Sequence, residues 1–141
     1  MRRWLAGALA AVAVAAAVSG CGGPMTPGEL SRSIGTLEST AAEGAMLAGD
    51  VADDRTKATF ARVHARDMSD VVVHEAEKLN DAEADQANVA AAKTKAIDLA
   101  DKIDTALGQI QVAPDDAPGA RKAATQLDRL SKQAGDLASG L

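Results

Sequence analysis

Small and apolar residues recur along most of the chain at steps of three and four, the spacing that lines one face of an α-helix. The first such stripe runs Leu30, Ile34, Leu37, Ala41, Ala45, Ala48 and Val51. Thr26-Pro27-Gly28-Glu29 opens it. Thr can cap the helix, Pro suits its first turn, and Glu three residues past the cap completes a capping box. The phase continues through Gly44 and Gly49, so the predicted helix covers 27–52 and stops at Asp53-Asp54. A second stripe, Ala61, Ala65, Met68, Val72, Ala76 and Leu79, predicts a helix over 56–79 with Thr56 as its cap.

Asn80-Asp81 is a turn signal, and Asn80 with Glu83 could cap a third helix over 81–111. Its stripe is Ala82, Asp85, Val89, Ala92, Ala96, Leu99, Ile103, Ala106 and Ile110, with Asp85 as the one misfit. Leu79 and Ala82 keep phase, so a single helix of over fifty residues is the alternative to a break. Pro114 and Pro118 forbid continuous helix through 112–118. Beyond them Ala120, Ala123, Leu127, Leu130, Ala134, Leu137 and Leu141 form a heptad seam and predict a helix over 117–139. Four such helices joined by short loops make an all-α, antiparallel up-down four-helix bundle the expected fold.

The first twenty-one residues read differently. Arg2 and Arg3 precede a run of Ala, Val, Leu and one Gly from Leu5 to Val18. That run would be about 21 Å long as a helix, short for a bilayer core of roughly 30 Å. A positive start and a short apolar stretch form a secretory signal. Arg2-Arg3 ahead of Trp4-Leu5 leaves both the general and the twin-arginine export routes open. Val18-Ser19-Gly20-Cys21 then follows, a branched apolar residue and two small residues ahead of the only Cys in the chain. On these residues the chain resembles a bacterial lipoprotein precursor. The resemblance covers residues 1–21 and implies diacylglyceryl on the Cys21 thiol, with cleavage between Gly20 and Cys21. It divides the chain into a signal peptide (1–20), a lipidated Cys with a short spacer (21–25) and a bundle domain (26–141). It also implies a lipid-anchored location on the extracytoplasmic face of the cell membrane.

Composition removes several alternatives. One Cys excludes a disulfide framework and a zinc ribbon. One Phe, no Tyr and an acidic balance argue against a nucleic-acid partner. Without Arg2 and Arg3 the chain keeps 13 basic and 20 acidic side chains, so an anionic leaflet would repel it and the acyl chains must hold it. Leu, Ile, Val and Phe make up only 22 of the 121 residues from Cys21 onward, near the limit at which folding becomes marginal.

Candidate chemistry is sparse. His64 and His74 lie on one helix, about 80° apart at 100° per residue, each with an acid nearby at helical spacing, Asp67 for His64 and Asp70 for His74. Ion-paired or solvated imidazoles are expected, and no metal site. Asp98, Asp101 and Asp104 alternate with Lys95 and Lys102 and read as a solvated, salt-bridged face. No serine nucleophile elbow or glycine-rich phosphate loop occurs, so neither an enzyme nor a cofactor is expected. One feature exceeds the needs of a core. Phe60, His64, Asp67, Val71, His74 and Lys78 form a second stripe on the second helix. It either flanks the core or forms a strip for an envelope protein partner. The expected function is a lipid-anchored, non-enzymatic interaction or scaffold module. The alternative is a lipoprotein that binds a small ligand or cation in a pocket between helices.

Overall fold

The computed structural model describes residues 23–141; the expected signal peptide, the lipobox and Cys21 lie outside the described residues. The described residues form four helices and no strand, with α1 at Pro27–Ala52, α2 at Ala58–Asp81, α3 at Ala87–Val112 and α4 at Ala117–Ser139. They pack as the expected up-down bundle. No described helix is long and apolar enough to cross a membrane.

The start of α1 forms as its sequence dictates. The Thr26 N–H donates to the Glu29 carboxylate at 2.8 Å, and the Glu29 N–H donates to the Thr26 hydroxyl oxygen at 3.3 Å. These two bonds occupy backbone donors that the first helical turn cannot pair internally. They also hold the Glu29 carboxyl below its usual range, the Thr26 backbone N–H contributing most. At its other end α1 stops at Asp53, and Asp54 takes a left-handed φ of 55°. Aspartate tolerates that region better than most side chains. Arg55 closes the turn through its pairs with Asp50 and Asp53.

Two boundaries differ from the sequence expectation. Thr56 does not cap α2, which begins two residues later behind Lys57 with no side-chain cap. The third helix begins at Ala87 rather than 81, again without a side-chain cap. Asn80 does not cap it. Its amide instead donates to the Ala76 carbonyl at 3.0 Å and satisfies the last turn of α2. The stretch between the helices is drawn out by two non-local bonds. Met25 N–H donates to the Glu83 carbonyl and Lys93 Nζ to the Ala82 carbonyl, both at 2.7 Å. Asp85 fits no buried stripe because it sits in this linker. The long continuous helix is thereby ruled out.

The core is built on the expected stripes, with Leu30, Ile34, Leu37, Val72, Leu79, Ile103 and Leu127 essentially inaccessible. α1 packs most extensively on α4, and α2 on α3. α1 and α3 also touch across the centre, whereas α2 and α4 do not meet. The cross-section is therefore a rhombus with α1 and α3 on its short diagonal. Each inner helix has three neighbours and buries a wide arc. On α1 it takes in Ser33, Thr40, Gly44 and Leu47; on α3 it takes in Ala100 and Leu107. The outer helices bury only narrow stripes of five residues each. Gly44 marks a close approach between helices. A Cβ there would lie 2.8 Å from Leu107 Cδ2 and 3.1 Å from Leu127 Cδ1.

Candidate functional site

The outward face of α2 carries the second stripe. Phe60 is 57% exposed and Val71 44%, while Ala61, Ala65, Met68 and Val72 on the adjoining arc are buried. Eleven residues separate Phe60 from Val71, about 16 Å along one side of the helix. Val63, absent from the expected strip, is comparably exposed about 60° round the helix from Phe60 and widens the apolar character of this side of α2, whereas Val73 is exposed on the opposite flank of the buried stripe. Val63 is a single apolar residue between Arg62 and His64, which periodicity alone does not single out.

His64 is the half-buried hinge of the strip. Its ring stacks on Phe60 with centroids 5.4 Å apart and planes 27° from parallel. Its Nε2 lies 2.8 Å from Glu43 Oε1 on α1. The expected acid, Asp67, is not its partner; the imidazole turns toward the neighbouring helix, where the carboxylate fixes the ring against Phe60. His74 is exposed and forms no ion pair among the described residues. Lys78 pairs with Glu75 on its own helix at 3.4 Å. The structure thus brings Phe60 and His64 together and leaves Val71 and His74 further along the same side.

Of the α3 acids, Asp98 and Asp101 are exposed as the spacing suggested, but among the described residues none of the three pairs with a lysine. Asp104 is partly buried and accepts a hydrogen bond from the Ser69 hydroxyl on α2. Neither Lys95 nor Lys102 pairs with a carboxylate among the described residues. With Arg62 donating to the Gln111 carbonyl and Gln111 to the Ala65 carbonyl, the Ser69 contact belongs to a polar seam that fixes α2 on α3. Among the described residues no group of three or more His, Cys, Asp or Glu is placed to hold a metal ion.

Two grooves on the α3–α4 side escaped the sequence reading. Near the α3 C-terminus, Gly108, Val112, Ala113, Gly119 and Ala123 line an open, mainly apolar depression of about 500 Å³. Further along α4 lies a basic depression of about 660 Å³. Set against known proteins, the chain matches no family model, no curated protein and no solved structure.

Proposed function

We propose that the chain is a lipid-anchored extracytoplasmic protein working as a non-enzymatic interaction or scaffold module, with the Phe60–His64–Val71–His74 side of α2 as its contact surface for an envelope protein. One observation carries this reading. The only Phe of the described residues stands 57% exposed beside a core stripe on the same helix that is closed. Aromatic anchors of this kind dominate binding energy at protein interfaces. The lipobox supports the membrane location, and the spacer from Gly22 to Met25 would keep the bundle close to the bilayer.

The test has two arms. The wild type should partition with membranes and into a detergent phase, and Cys21→Ala should abolish lipidation and signal cleavage together. An unmodified Cys21 in the mature mass would end the anchor reading. A photo-crosslinking residue at position 71 should trap a defined envelope protein in intact cells, while the same probe at position 136 on α4 should not. Equal yields at both positions would remove the strip. The apolar depression at Gly108 and Gly119 favours a second reading, capture of a small apolar ligand, since its volume lies in the range of ligand pockets.

A further inference from the structure

An acidic chain gathers cations in one place. The basic depression is lined by Lys102 from α3 and by Arg121, Lys122, Thr125, Gln126, Arg129 and Gln133 from α4 over the apolar floor of Leu130. Four of the 13 basic residues from Cys21 onward meet here, and none of the 20 acidic ones lines it. Among the described residues, none of the four cations has a carboxylate within 4 Å, whereas Arg55, Lys78 and Lys132 do. Arg121 is also positioned. Its Nη2 donates to the Ala52 carbonyl at the end of α1 at 3.2 Å, and its remaining N–H groups have no protein acceptor among the described residues. Four uncompensated cations on the two walls of one groove raise the local potential and favour bound anions.

We propose that this α3–α4 groove binds a linear polyphosphate-type chain through its phosphate groups. The spacing argues for an extended ligand, since Lys122 and Arg129 stand seven residues apart, about 10 Å along α4. Arg guanidinium forks and Lys point charges both suit phosphate, one charge or more per repeating group matches four cations along the groove, and Gln126, Gln133 and Thr125 add neutral hydrogen-bonding groups. A bilayer surface fits less well. The chain enters the bundle at Met25, tied to Glu83, at the end opposite Arg121 and Lys122, and the groove is concave. Single-stranded nucleic acid lacks its stacking platform, because the only aromatic residue described is on α2, which does not touch α4. The inference is independent of the α2 strip for the same reason.

The experiment is calorimetric titration of the purified full-length chain in neutral detergent and low-salt buffer. The probes are inorganic polyphosphate, poly-L-glutamate, orthophosphate and mixed micelles of the same detergent with phosphatidylglycerol. Saturable binding of polyphosphate, tighter than orthophosphate and poly-L-glutamate and weakened by added salt, is expected. Lys122→Glu with Arg129→Glu should weaken it about tenfold or more by reversing two contact charges. Arg32→Glu with Lys57→Glu, an equal charge change at exposed positions outside the groove, should leave it nearly unaltered. Circular dichroism of both double variants checks that the helices persist. An equal loss in both would reduce the effect to net charge and overturn the site. So would absence of saturable polyphosphate binding at low salt, tighter binding of poly-L-glutamate, or binding confined to the phosphatidylglycerol micelles.

Discussion

Phe60→Ala is the perturbation that distinguishes a contact surface from a core flank. Full burial of a Phe side chain is worth about 1.5–3 kcal/mol, and Phe60 keeps 57% of its surface in water. Somewhat less than half of that transfer term is therefore at stake, roughly 1 kcal/mol. Stacking on His64 adds a fraction of the ~0.5–1.5 kcal/mol of an aromatic pair, and the helix preference of Ala over Phe returns about 0.5. The net loss expected is about 1 kcal/mol, a fall in Tm of roughly 3–6 °C for a domain of this size. A truly buried Phe would cost about 3–5 kcal/mol on truncation, a large share of a typical total of 5–15 kcal/mol. Leu127→Ala supplies the internal standard. Leu127 has no exposed surface and sits between α1 and its own helix, so it should cost about 2–5 kcal/mol.

The assay pairs thermal unfolding by circular dichroism with photo-crosslinking from position 71. The expected result is a small fall in Tm for Phe60→Ala with most of the crosslink lost. A Phe60→Ala variant as destabilised as Leu127→Ala would place the ring in the core and refute the argument. An unchanged crosslink yield would refute the contact role while leaving the fold intact.

Gly44→Ala should be neutral to destabilising by about 2 kcal/mol, because its Cβ would crowd the buried ends of Leu107 and Leu127 and overpacking outweighs the helix preference of Ala. Gly35→Ala meets nothing within 4 Å and should gain about 0.5–1 kcal/mol in the same unfolding assay; matching signs for the two would contradict the close packing at Gly44. Ser33 is 1% exposed with an unpartnered hydroxyl, so Ser33→Ala should stabilise by about 1 kcal/mol or more in denaturant titration, and a loss would mean the hydroxyl is satisfied. Ile103→Asp buries an unpaired carboxylate and should cost more than about 4 kcal/mol, against under 1 for exposed Lys102→Asp. Similar melts for the two would invert the face assignment of α3.

Local chemistry made α1 and α4 readable. The Thr26-Pro27-Gly28-Glu29 box sets one end of α1, and Pro114 and Pro118 isolate α4, all within a few residues of the boundary each controls. The α2–α3 junction was harder because its causes are distant in sequence. The Asn80-Asp81 signal marked the break, but the linker is held open by the Met25 N–H and the Lys93 ammonium, which no local pattern displays. Stripe width was hidden for a similar reason. Ala100 and Leu107 are buried because α3 touches three helices, a property of the arrangement and not of the segment. For the candidate surfaces, Phe60 was visible as a misplaced aromatic. The basic groove escaped the sequence reading, since its walls come from two helices and Lys102 stands far in sequence from Arg121, Lys122 and Arg129.

The rhombic packing links these surfaces to the composition. Alanine-rich stripes bring helices close without much side-chain volume, and Gly44 lets α1 meet α3 and α4 at the centre. That contact pushes α2 and α4 apart, and each then needs only a five-residue stripe to stay attached. More than half of the circumference of each outer helix is left free of packing duty. On α2 that freedom holds exposed Phe60, Val63 and Val71 without emptying the core; on α4 it holds three uncompensated cations without burying charge. The two outer helices do not touch, so a substitution on one surface has no direct contact through which to disturb the other. A core with few large side chains is a weak source of stability, yet the same economy of volume leaves two chemically distinct surfaces on opposite sides of a small bundle.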